Sequence, residues 1–341
     1  MSGPALHSAS VLICTYNRAD LLRETLESLR ETQTSRIWDI VVVDNNSCDG
    51  TRAVVETFAG TAPVHVLYLF EARQGKSHAL NTGLASSRGD IVVFTDDDVR
   101  VGPTWLDQAC DALDRDASLD YTGGPVRPLW EVEPPRWFDR TRGDLWGTLA
   151  ILDYGPASFV FEERQRVPLG ANMAVRRALV ERIGGFHPEL GRRGRSLLGQ
   201  EQAEFFARAR ALGARGLYVP GMQLDHHVPA ARLTKAYFRR WWYWKGVSRS
   251  RVDAMHRQTE LGLDLAGVPY VARVPRFVWG LLPRAFAGWL GAIVTGDVRG
   301  AARYEMQCAY ALGYIRGCWN DRTELAGAPR VTGRRQESAS L

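Results

Sequence analysis

Three carboxylates in a row are the first sign of chemistry in this 341-residue chain. Asp96, Asp97 and Asp98 end a mostly apolar run that starts at residue 90 and is typical of a buried strand of a parallel sheet. Ligands of open α/β sheets bind at the carboxyl ends of strands. Spaced carboxylates suit Mg²⁺ or Mn²⁺, which hold substrate phosphates, so we expect a metal site. The alternative is a solvated acidic turn before a helix near Pro103.

Polar clusters also follow the other three strands predicted for this region. Tyr16 can stack on a nucleotide base, and Asp44 can accept a hydrogen bond from one. Arg73 and Lys76 can meet negatively charged oxygens. Each also has a plain structural explanation, such as a helix cap for Asn17 or a turn for Asp44. Four such clusters at successive strand ends nevertheless favour a nucleotide site. Besides the aspartates, they are Thr15-Tyr16-Asn17, Asp44-Asn45-Asn46-Ser47 and Arg73-Gln74-Gly75-Lys76.

Alternating strands and helices position these clusters. The β-strands predicted from apolar runs cover residues 10–14, 40–43, 64–70 and 90–95, with amphipathic helices between them. This βαβαβαβ pattern predicts a doubly wound parallel sheet that extends to about residue 113. Residues 121–168 are irregular and rich in Pro, Gly and Trp, which favours an insertion that covers a site.

Composition narrows the class of protein. The net charge of +5 is too small to imply a polyanionic partner, and we expect no nucleic acid. Five scattered cysteines without metal-finger or redox spacing favour a reducing compartment. The N-terminus lacks the pattern of a signal peptide, and no run of 18 uncharged apolar residues predicts a spanning helix.

The C-terminal third is basic and aromatic. Residues 237–249 mix rings and cations, which suits a membrane interface, an acceptor glycan or a helix packed on the rest of the protein. Residues 274–294 contain Arg276, Arg284 and two prolines, so we predict interfacial helices and peripheral attachment to the cytoplasmic face of the membrane. The predicted division is a tail at 1–9, a catalytic domain at 10–230, a helical region at 231–323 and a loose tail at 324–341.

The ordered motifs resemble those of family 2 glycosyltransferases of the GT-A fold. The resemblance covers residues 10–232 and implies a Rossmann-like α/β fold that binds a nucleoside-diphosphate sugar. It is carried by residues 11–18 (VLICTYNR), 43–51 (VDNNSCDGT), 75–81 (GKSHALN) and 95–98 (TDDD). The resemblance implies that five residues line the nucleotide pocket, that Asp96 contacts the ribose or the sugar, and that Asp98 binds the metal through the DxD pattern. The five pocket residues are Thr15, Tyr16, Asn17, Asp44 and Arg73.

Further motifs downstream resemble the donor-sugar and acceptor region of the family. Residues 169–174 (LGANMA) contain Gly170, Ala171 and Asn172, which we assign to this region together with Lys76 and Asp97. In residues 225–229 (DHHVP), His226 or His227 can coordinate the metal or contact the diphosphate, and Asp96 is a further candidate ligand. A packed or solvent-facing histidine pair is the alternative.

Residues 198–205 (LGQEQAEF) resemble the catalytic loop, with one departure. The family places an Asp where this chain has Gln202, and an amide cannot take a proton from an acceptor hydroxyl. Glu201 is therefore the candidate general base, and Glu204 is the fallback. The alternative for Glu201 is an acid that only stabilises the start of a helix.

Together these features predict a metal-dependent glycosyltransferase that inverts the anomeric configuration. The expected donor is a nucleoside-diphosphate sugar, with uracil the favoured base and guanine and thymine still open. The expected acceptor is a glycan or a lipid-linked sugar in the biosynthesis of a surface polysaccharide or glycolipid. Two alternatives remain: a nucleotidyltransferase, disfavoured because no Gly-rich basic loop follows the first strand, and a glycan- or lipid-binding protein with a decayed site.

Overall fold

The computed structural model of the protein describes residues 6–141, 143–164, 166–194, 196–259 and 262–320. The predicted tail at 324–341 and most of the one at 1–9 lie outside these residues. The strands are β1 (Ala9–Thr15), β2 (Trp38–Asp44), β3 (His65–Phe70), β4 (Ile91–Asp96), β5 (Val99–Val101), β6 (Tyr121–Gly123), β7 (Val126–Trp130), β8 (Phe159–Val160), β9 (Asn172–Arg176), β10 (Gly216–Tyr218), β11 (Leu224–Val228), β12 (Tyr270–Val271) and β13 (Val274–Pro275). The helices are α1 (Ala19–Arg30), α2 (Thr51–Ala59), α3 (Lys76–Ser86), α4 (Trp105–Arg115), α5 (Arg177–Ile183), α6 (Glu201–Ala211), α7 (Lys235–His256), α8 (Arg276–Val294) and α9 (Val298–Asn320).

The main sheet has eight strands, in the order β3-β2-β1-β4-β9-β6-β10-β8. Its first four strands are parallel, as the alternating pattern predicts. Beyond residue 113, where the predicted parallel pattern ends, the sheet is mixed, because β9 runs antiparallel to both β4 and β6. The apolar composition of β9 does not reveal its direction, and its neighbours lie far away in sequence.

The central strands are buried on both faces, which explains their unbroken apolar runs. Successive side chains of a strand point to opposite faces, so Val11 and Ile13 join one core cluster and Leu12 joins the other. The register aligns the strand ends, with Thr15 opposite Asp44 and Cys14 opposite Asp96. The polar residues after these strands therefore meet at one edge of the sheet.

A second, three-stranded sheet in the order β5-β11-β7 lies beside this edge. Its strand β11 runs antiparallel to β5, and His226 pairs with Val99, the residue that follows Asp98. A main-chain hydrogen bond of 2.8 Å from the N–H of His227 to the carbonyl of Asp98 fixes the same alignment. This pairing brings a segment from far along the chain onto the carboxylate cluster.

The C-terminal helices pack through glycines. A Cβ on Gly246 of α7 would lie 2.1 Å from the carbonyl oxygen of Tyr310, and one on Gly313 of α9 would lie 1.9 Å from that of Tyr243. Contacts that short are impossible for a real side chain, so the backbones of α7 and α9 touch directly.

Helix α8 departs from the sequence-based prediction in its continuity. Residues 276–294 form one continuous helix with Pro283 inside it, rather than separate interfacial helices. Its 19 residues and mean hydropathy of 1.5 also make it long and apolar enough to cross a membrane, by length and composition alone. The prediction of no spanning helix rests on the absence of a run of 18 uncharged apolar residues, and it stays a prediction, because two arginines interrupt the apolar run without lowering its mean hydropathy below that of a span.

Candidate active site

The three aspartates lie in a network of cations at the end of β4. The Thr15 hydroxyl donates a hydrogen bond of 2.7 Å to Asp97, and the Arg18 guanidinium donates to Asp97 at 2.9 Å and to Asp98 at 2.8 Å. Arg232 lies 3.5 Å from the same oxygen of Asp98. Buried carboxylates need such partners, since an unpaired charge in this setting is strongly unfavourable.

This network sets the charge of each carboxylate. Burial acts to raise the pKa of Asp98, but His226, Arg18 and Arg232 outweigh it and hold that pKa far below its usual range. Burial likewise opposes ionisation of Asp96, and Lys76 reverses the effect, so its pKa is also lowered. For Asp97 burial dominates and raises the pKa, against the opposing effect of Arg18. The network therefore favours the anionic form of Asp96 and Asp98 most strongly.

Asp98 and His226 form the part of the site that fits a metal ion. The Nε2 of His226 lies 3.3 Å from Oδ1 of Asp98, yet that oxygen accepts no hydrogen bond. Both side chains are almost fully buried. An oxygen and an imidazole nitrogen that face each other in this way suit a divalent cation such as Mn²⁺. No three His, Cys, Asp or Glu side chains converge on a metal position in the described parts of the chain, so the remaining ligands would come from substrate or water.

The structure separates the two candidate histidines. His226 points to Asp98 and lines the cavity described below, and His227 is not among its lining residues. Alternation along β11 explains this, because neighbouring side chains of a strand lie on opposite faces. The main chain of His227 contacts Asp98, through the N–H.

A large cavity of about 1060 Å³ joins the aspartates to the start of α6. Asp96, Lys76 and Glu201 all line it, and the Lys76 ammonium lies 2.8 Å from Asp96. Burial acts to lower the pKa of Lys76, but Asp96 and then Glu201 outweigh it and raise that pKa. Glu201 follows Gln200, whose left-handed backbone (φ 73°) turns the chain into the helix. The candidate base and the candidate metal ligands therefore face one space.

Gln202 has a structural role that an aspartate could not fill. Its side-chain amide donates a hydrogen bond to the main-chain carbonyl of Pro168. That bond joins α6 to the loop containing Gly170 and Ala171, both of which line the cavity. A carboxylate has no proton to donate at neutral pH, so the departure from the family pattern fits this contact.

Glu204, the fallback base, lies away from the cavity. It is 3% exposed and binds Arg208 through two bonds of 2.8 and 2.9 Å. Its Oε1 also lies 3.2 Å from Nε2 of His256, the last residue of α7. These contacts fix α6 to α7, and Glu201 is the carboxylate of the loop that faces the cavity.

The predicted nucleotide residues fall into two groups. Thr15 and Tyr16 line the cavity, and Tyr16 is 45% exposed. The other three predicted residues do not line the cavity and instead form hydrogen bonds within the surrounding structure. The amide oxygen of Asn17 accepts a hydrogen bond from the N–H of Cys48. Asp44 accepts hydrogen bonds from the N–H of Ser47 and the hydroxyl of Tyr68. Arg73 donates a hydrogen bond to Glu71.

Asn172 is also a packing residue. It is fully buried, accepts a bond of 2.9 Å from the Trp105 indole and donates to the carbonyls of Pro125 and Met222. The sequence reasoning had assigned it to the sugar region beside Gly170. Its side chain instead holds β9, α4 and the segment before β11 together.

Sequence reasoning gave no role to Arg18, which bonds to two of the three aspartates. A signal was present, because an arginine after a strand end faces the acids of the adjacent strand end in a parallel sheet. The predicted insertion does reach the site: Trp146 and Tyr154 line the cavity. Trp241, Trp242 and Lys245 of α7 line it as well.

Comparison with known proteins identifies the family. The model of glycosyl transferase family 2 matches residues 10–184. This chain belongs to that family. The matched part contains the parallel strands and the carboxylate cluster. Glu201, at the start of α6, lies after it.

Curated relatives of this glycosyltransferase cover most of the chain. A glucosyl-dolichyl phosphate glucuronosyltransferase of Haloferax volcanii is 25% identical over 252 residues, 73% of this chain and 78% of the relative. The succinoglycan biosynthesis protein ExoM of Rhizobium meliloti is 28% identical over 258 residues, 74% of this chain and 77% of the relative.

A solved structure shares the fold. The mannosyltransferase PcManGT of Pyrobaculum calidifontis, solved with GDP-mannose and Mn²⁺, has a TM-score of 0.63 and 21% identity, covering 93% of this chain and 88% of its own. The prediction of a GT-A fold with a helical C-terminal region is thereby confirmed, as is the prediction of a family 2 glycosyltransferase.

Proposed function

We propose that the enzyme transfers a sugar from a nucleoside-diphosphate sugar to a glycan or lipid-linked acceptor, with inversion and with Mn²⁺ or Mg²⁺. Uridine diphosphate is the favoured carrier. The observation that carries the proposal is the shared cavity, in which the Asp98–His226 pair and Glu201 face the same space. A nucleotidyltransferase and a decayed binding protein gain no support from it, because Gln202, the one departure, has its own structural explanation.

The names of the relatives support the same class of reaction. One relative is a glucuronosyltransferase named for a dolichyl-phosphate substrate, and another is a succinoglycan biosynthesis protein. The structural neighbour was solved with a nucleoside-diphosphate sugar and Mn²⁺. We infer by analogy that this chain works in the biosynthesis of a surface polysaccharide or glycolipid.

In this mechanism the donor diphosphate lies against the cationic side of the carboxylate cluster. Asp98 and His226 would hold the divalent cation, and when bound it supplies positive charge for the diphosphate. Arg18 and Arg232 add positive charge to the same region, since each lies within 3.5 Å of Asp98. Such preorganised charge favours departure of the nucleoside diphosphate.

Glu201 is the proposed general base. Its carboxylate takes the proton of the acceptor hydroxyl while that oxygen forms a bond to the anomeric carbon, and the bond from this carbon to the diphosphate oxygen breaks. Attack from the face opposite the leaving group inverts the configuration. Lys76 holds Asp96 at 2.8 Å, and we assign both to the donor sugar.

Nucleotide contacts follow from the exposed positions at the edge of the sheet. We propose that Tyr16, which is 45% exposed, flanks the base and that Thr15 lies under the ribose. Asn17, Asp44 and Arg73 shape the outer part of this pocket. Their existing hydrogen bonds hold the loops that Tyr16 must approach.

We also propose attachment to the cytoplasmic face of a membrane, through α8. Val278, Ala285 and Ala292 of this helix are buried, and their spacing of seven places them on one stripe against α9. Phe286, Ile293 and others on the remaining surface are more than half exposed. Arg276 and Arg284 are exposed beside them, which suits anionic lipid. All five cysteines are free, in keeping with a reducing compartment.

The test is release of nucleoside diphosphate from UDP-, GDP- and dTDP-sugars, with Mn²⁺, with Mg²⁺ and with EDTA. We expect turnover of one donor that EDTA abolishes. Asp98→Asn and Glu201→Gln should each lower kcat by at least about 100-fold, a typical contribution of a general base or of one electrostatic group. Glu56→Gln, which changes an exposed carboxylate of α2, is the matched control and should keep full activity.

The outcomes distinguish the proposed transferase from the alternative functions. Loss in Asp98→Asn alone would keep the transferase and remove Glu201 as the base. Formation of a nucleotide sugar and pyrophosphate from a nucleoside triphosphate and a sugar 1-phosphate, without release of nucleoside diphosphate from any donor, would identify a nucleotidyltransferase. Absence of both turnover and metal-dependent nucleotide binding would overturn the enzymatic proposal.

A further inference from the structure

One face of α7 lines the same cavity as the catalytic residues. Trp241, Lys245 and Ser248 all contribute to the lining. They are spaced by four and then three residues, so they lie above one another on the helix surface. This face is therefore a continuous wall of the cavity.

The wall is attached to the catalytic loop at one end. The N–H of Gly199 donates a bond of 3.0 Å to the hydroxyl of Ser248, and Glu201 follows two residues later. Ser248 therefore marks the end of the wall that is next to the candidate base. Seven residues at about 1.5 Å each place Trp241 roughly 10 Å further along the helix axis.

The far end of the wall is an aromatic platform, one ring of which is fixed by a hydrogen bond. The Trp242 indole donates a bond of 3.0 Å to the Thr148 hydroxyl, which fixes this ring against the insertion. The Trp241 ring lies 5.8 Å from it, and the Lys245 ammonium lies 4.8 Å from the Trp242 centroid and 5.7 Å from the Trp241 centroid. Both rings line the cavity and are half-buried. Fixed rings of this kind give a flat apolar surface at little entropic cost.

From this geometry we propose that the acceptor is recognised through at least two sugar units. The reacting sugar lies near Ser248 and Lys245, and the apolar face of the next sugar stacks on Trp241. The roughly 10 Å from Ser248 to Trp241 along the helix axis leaves room for a second sugar between the sugar next to Glu201 and this ring. The inference rests on the proposed transferase and adds the size of its acceptor.

The experiment measures binding of methyl glycosides to the full protein loaded with UDP and Mn²⁺. Two series are compared: methyl β-glucoside with methyl β-cellobioside, and methyl α-mannoside with the corresponding α-linked mannobioside. In at least one series we expect the disaccharide to bind at least about tenfold more tightly than the monosaccharide. Saturation-transfer NMR reports both dissociation constants.

Variants of α7 decide whether Trp241 causes this gain. Trp241→Ala should reduce it to less than about twofold, and Trp241→Phe should keep most of it, because a phenyl ring still stacks. Trp244→Ala, three residues along the same helix and outside the cavity lining, is the matched control and should keep the full gain. No gain in either series, or a gain that survives in Trp241→Ala, would overturn the proposal.

Binding of UDP is measured on the same samples, with Mn²⁺ and with EDTA. Metal-dependent binding of UDP without any disaccharide gain would overturn the two-sugar platform and leave the transferase standing. A disaccharide gain that depends on Trp241, without metal-dependent binding of UDP, would instead overturn the transferase and leave a glycan-binding wall. The two failures are therefore distinguishable.

Discussion

The α/β region and the C-terminal helices line one cavity, but different interactions hold each region together. At the edge of the sheet, charges are paired at short range: Arg18 bonds to Asp97 and Asp98, and Lys76 bonds to Asp96. In the helical region, α7 and α9 instead pack backbone against backbone at Gly246 and Gly313, and much of the apolar surface of α8 stays exposed. One region is held largely by charge pairs, and the other exposes apolar surface.

This difference indicates where each region interacts. Charges that the fold already holds in place need no rearrangement around an anionic substrate, which suits the proposed donor end of the cavity. An apolar helix surface bordered by arginines gains free energy only when something covers it. The predictions below test the two regions separately, from the largest expected effect to the smallest.

The donor end should depend on one histidine and not on its neighbour. His226→Gln removes a nitrogen that faces Asp98 at 3.3 Å, and we expect the affinity for Mn²⁺ to fall at least about 100-fold, more than for an outer-shell change. His227→Gln alters a side chain outside the cavity lining and should change affinity less than twofold. Titration of Mn²⁺ in the presence of UDP measures both. Equal losses in the two variants would contradict the assignment.

The helical region should carry the membrane contact. Ile293→Glu places a charge on the exposed surface of α8, and we expect binding to vesicles of phosphatidylcholine and phosphatidylglycerol to fall at least about tenfold, since a buried Ile contributes about 1.5–3 kcal/mol. Ile37→Glu is the matched control, because Ile37 is 82% exposed but lies in the α/β region. Flotation of both variants measures the effect. Similar losses, or none, would contradict the role of α8.

Glycine substitutions should distinguish the packed surface of α9 from the open surface of α8. Gly313→Ala puts a methyl group 1.9 Å from a main-chain oxygen of α7 and should lower the free energy of unfolding by about 1–3 kcal/mol. Gly280→Ala in α8 meets nothing within 4 Å and should raise it by about 1 kcal/mol, from helix propensity. Urea denaturation measures both. Destabilisation by Gly280→Ala would show that this part of α8 is covered.

Acid should weaken the charge pairing of the α/β region. Hydrogen bonds from Arg73 lead the effects that lower the pKa of Glu71 from 4.5 to about 2. Glu71 therefore contributes stability that is fully present above about pH 4.5 and is lost as the pH falls towards 2. Glu71→Gln should flatten the dependence of unfolding free energy on pH between 5 and 3. An unchanged slope would contradict this contribution.

The parallel half of the fold was predictable because its signals are local. Each of the first four strands is an apolar run followed by polar residues, and parallel pairing places those ends together. The antiparallel direction of β9 and the second sheet around His226 depend on pairings across more than 70 residues. No local pattern encodes such pairings, which explains why the sequence-based prediction of the sheet stops at about residue 113.

The site residues likewise include some that the sequence predicts and some that it does not. Asp96, Asp98 and Glu201 were predictable because they lie in ordered motifs that resemble those of the family, and all three lie on the cavity. Asn172 matched the motif equally well, yet its amide is buried in packing contacts. Sequence reasoning could not separate His226 from His227 either, because that choice depends on which face of β11 meets Asp98.

The hydrogen bond between Gly199 and Ser248 has an evolutionary consequence. It joins the catalytic loop to α7 through a main-chain N–H, which no substitution at Gly199 other than proline removes. The wall-facing positions Trp241 and Lys245 can therefore change without altering that attachment. Under the proposed function, substitutions along this one helix would change acceptor preference without altering the proposed donor site at the edge of the sheet.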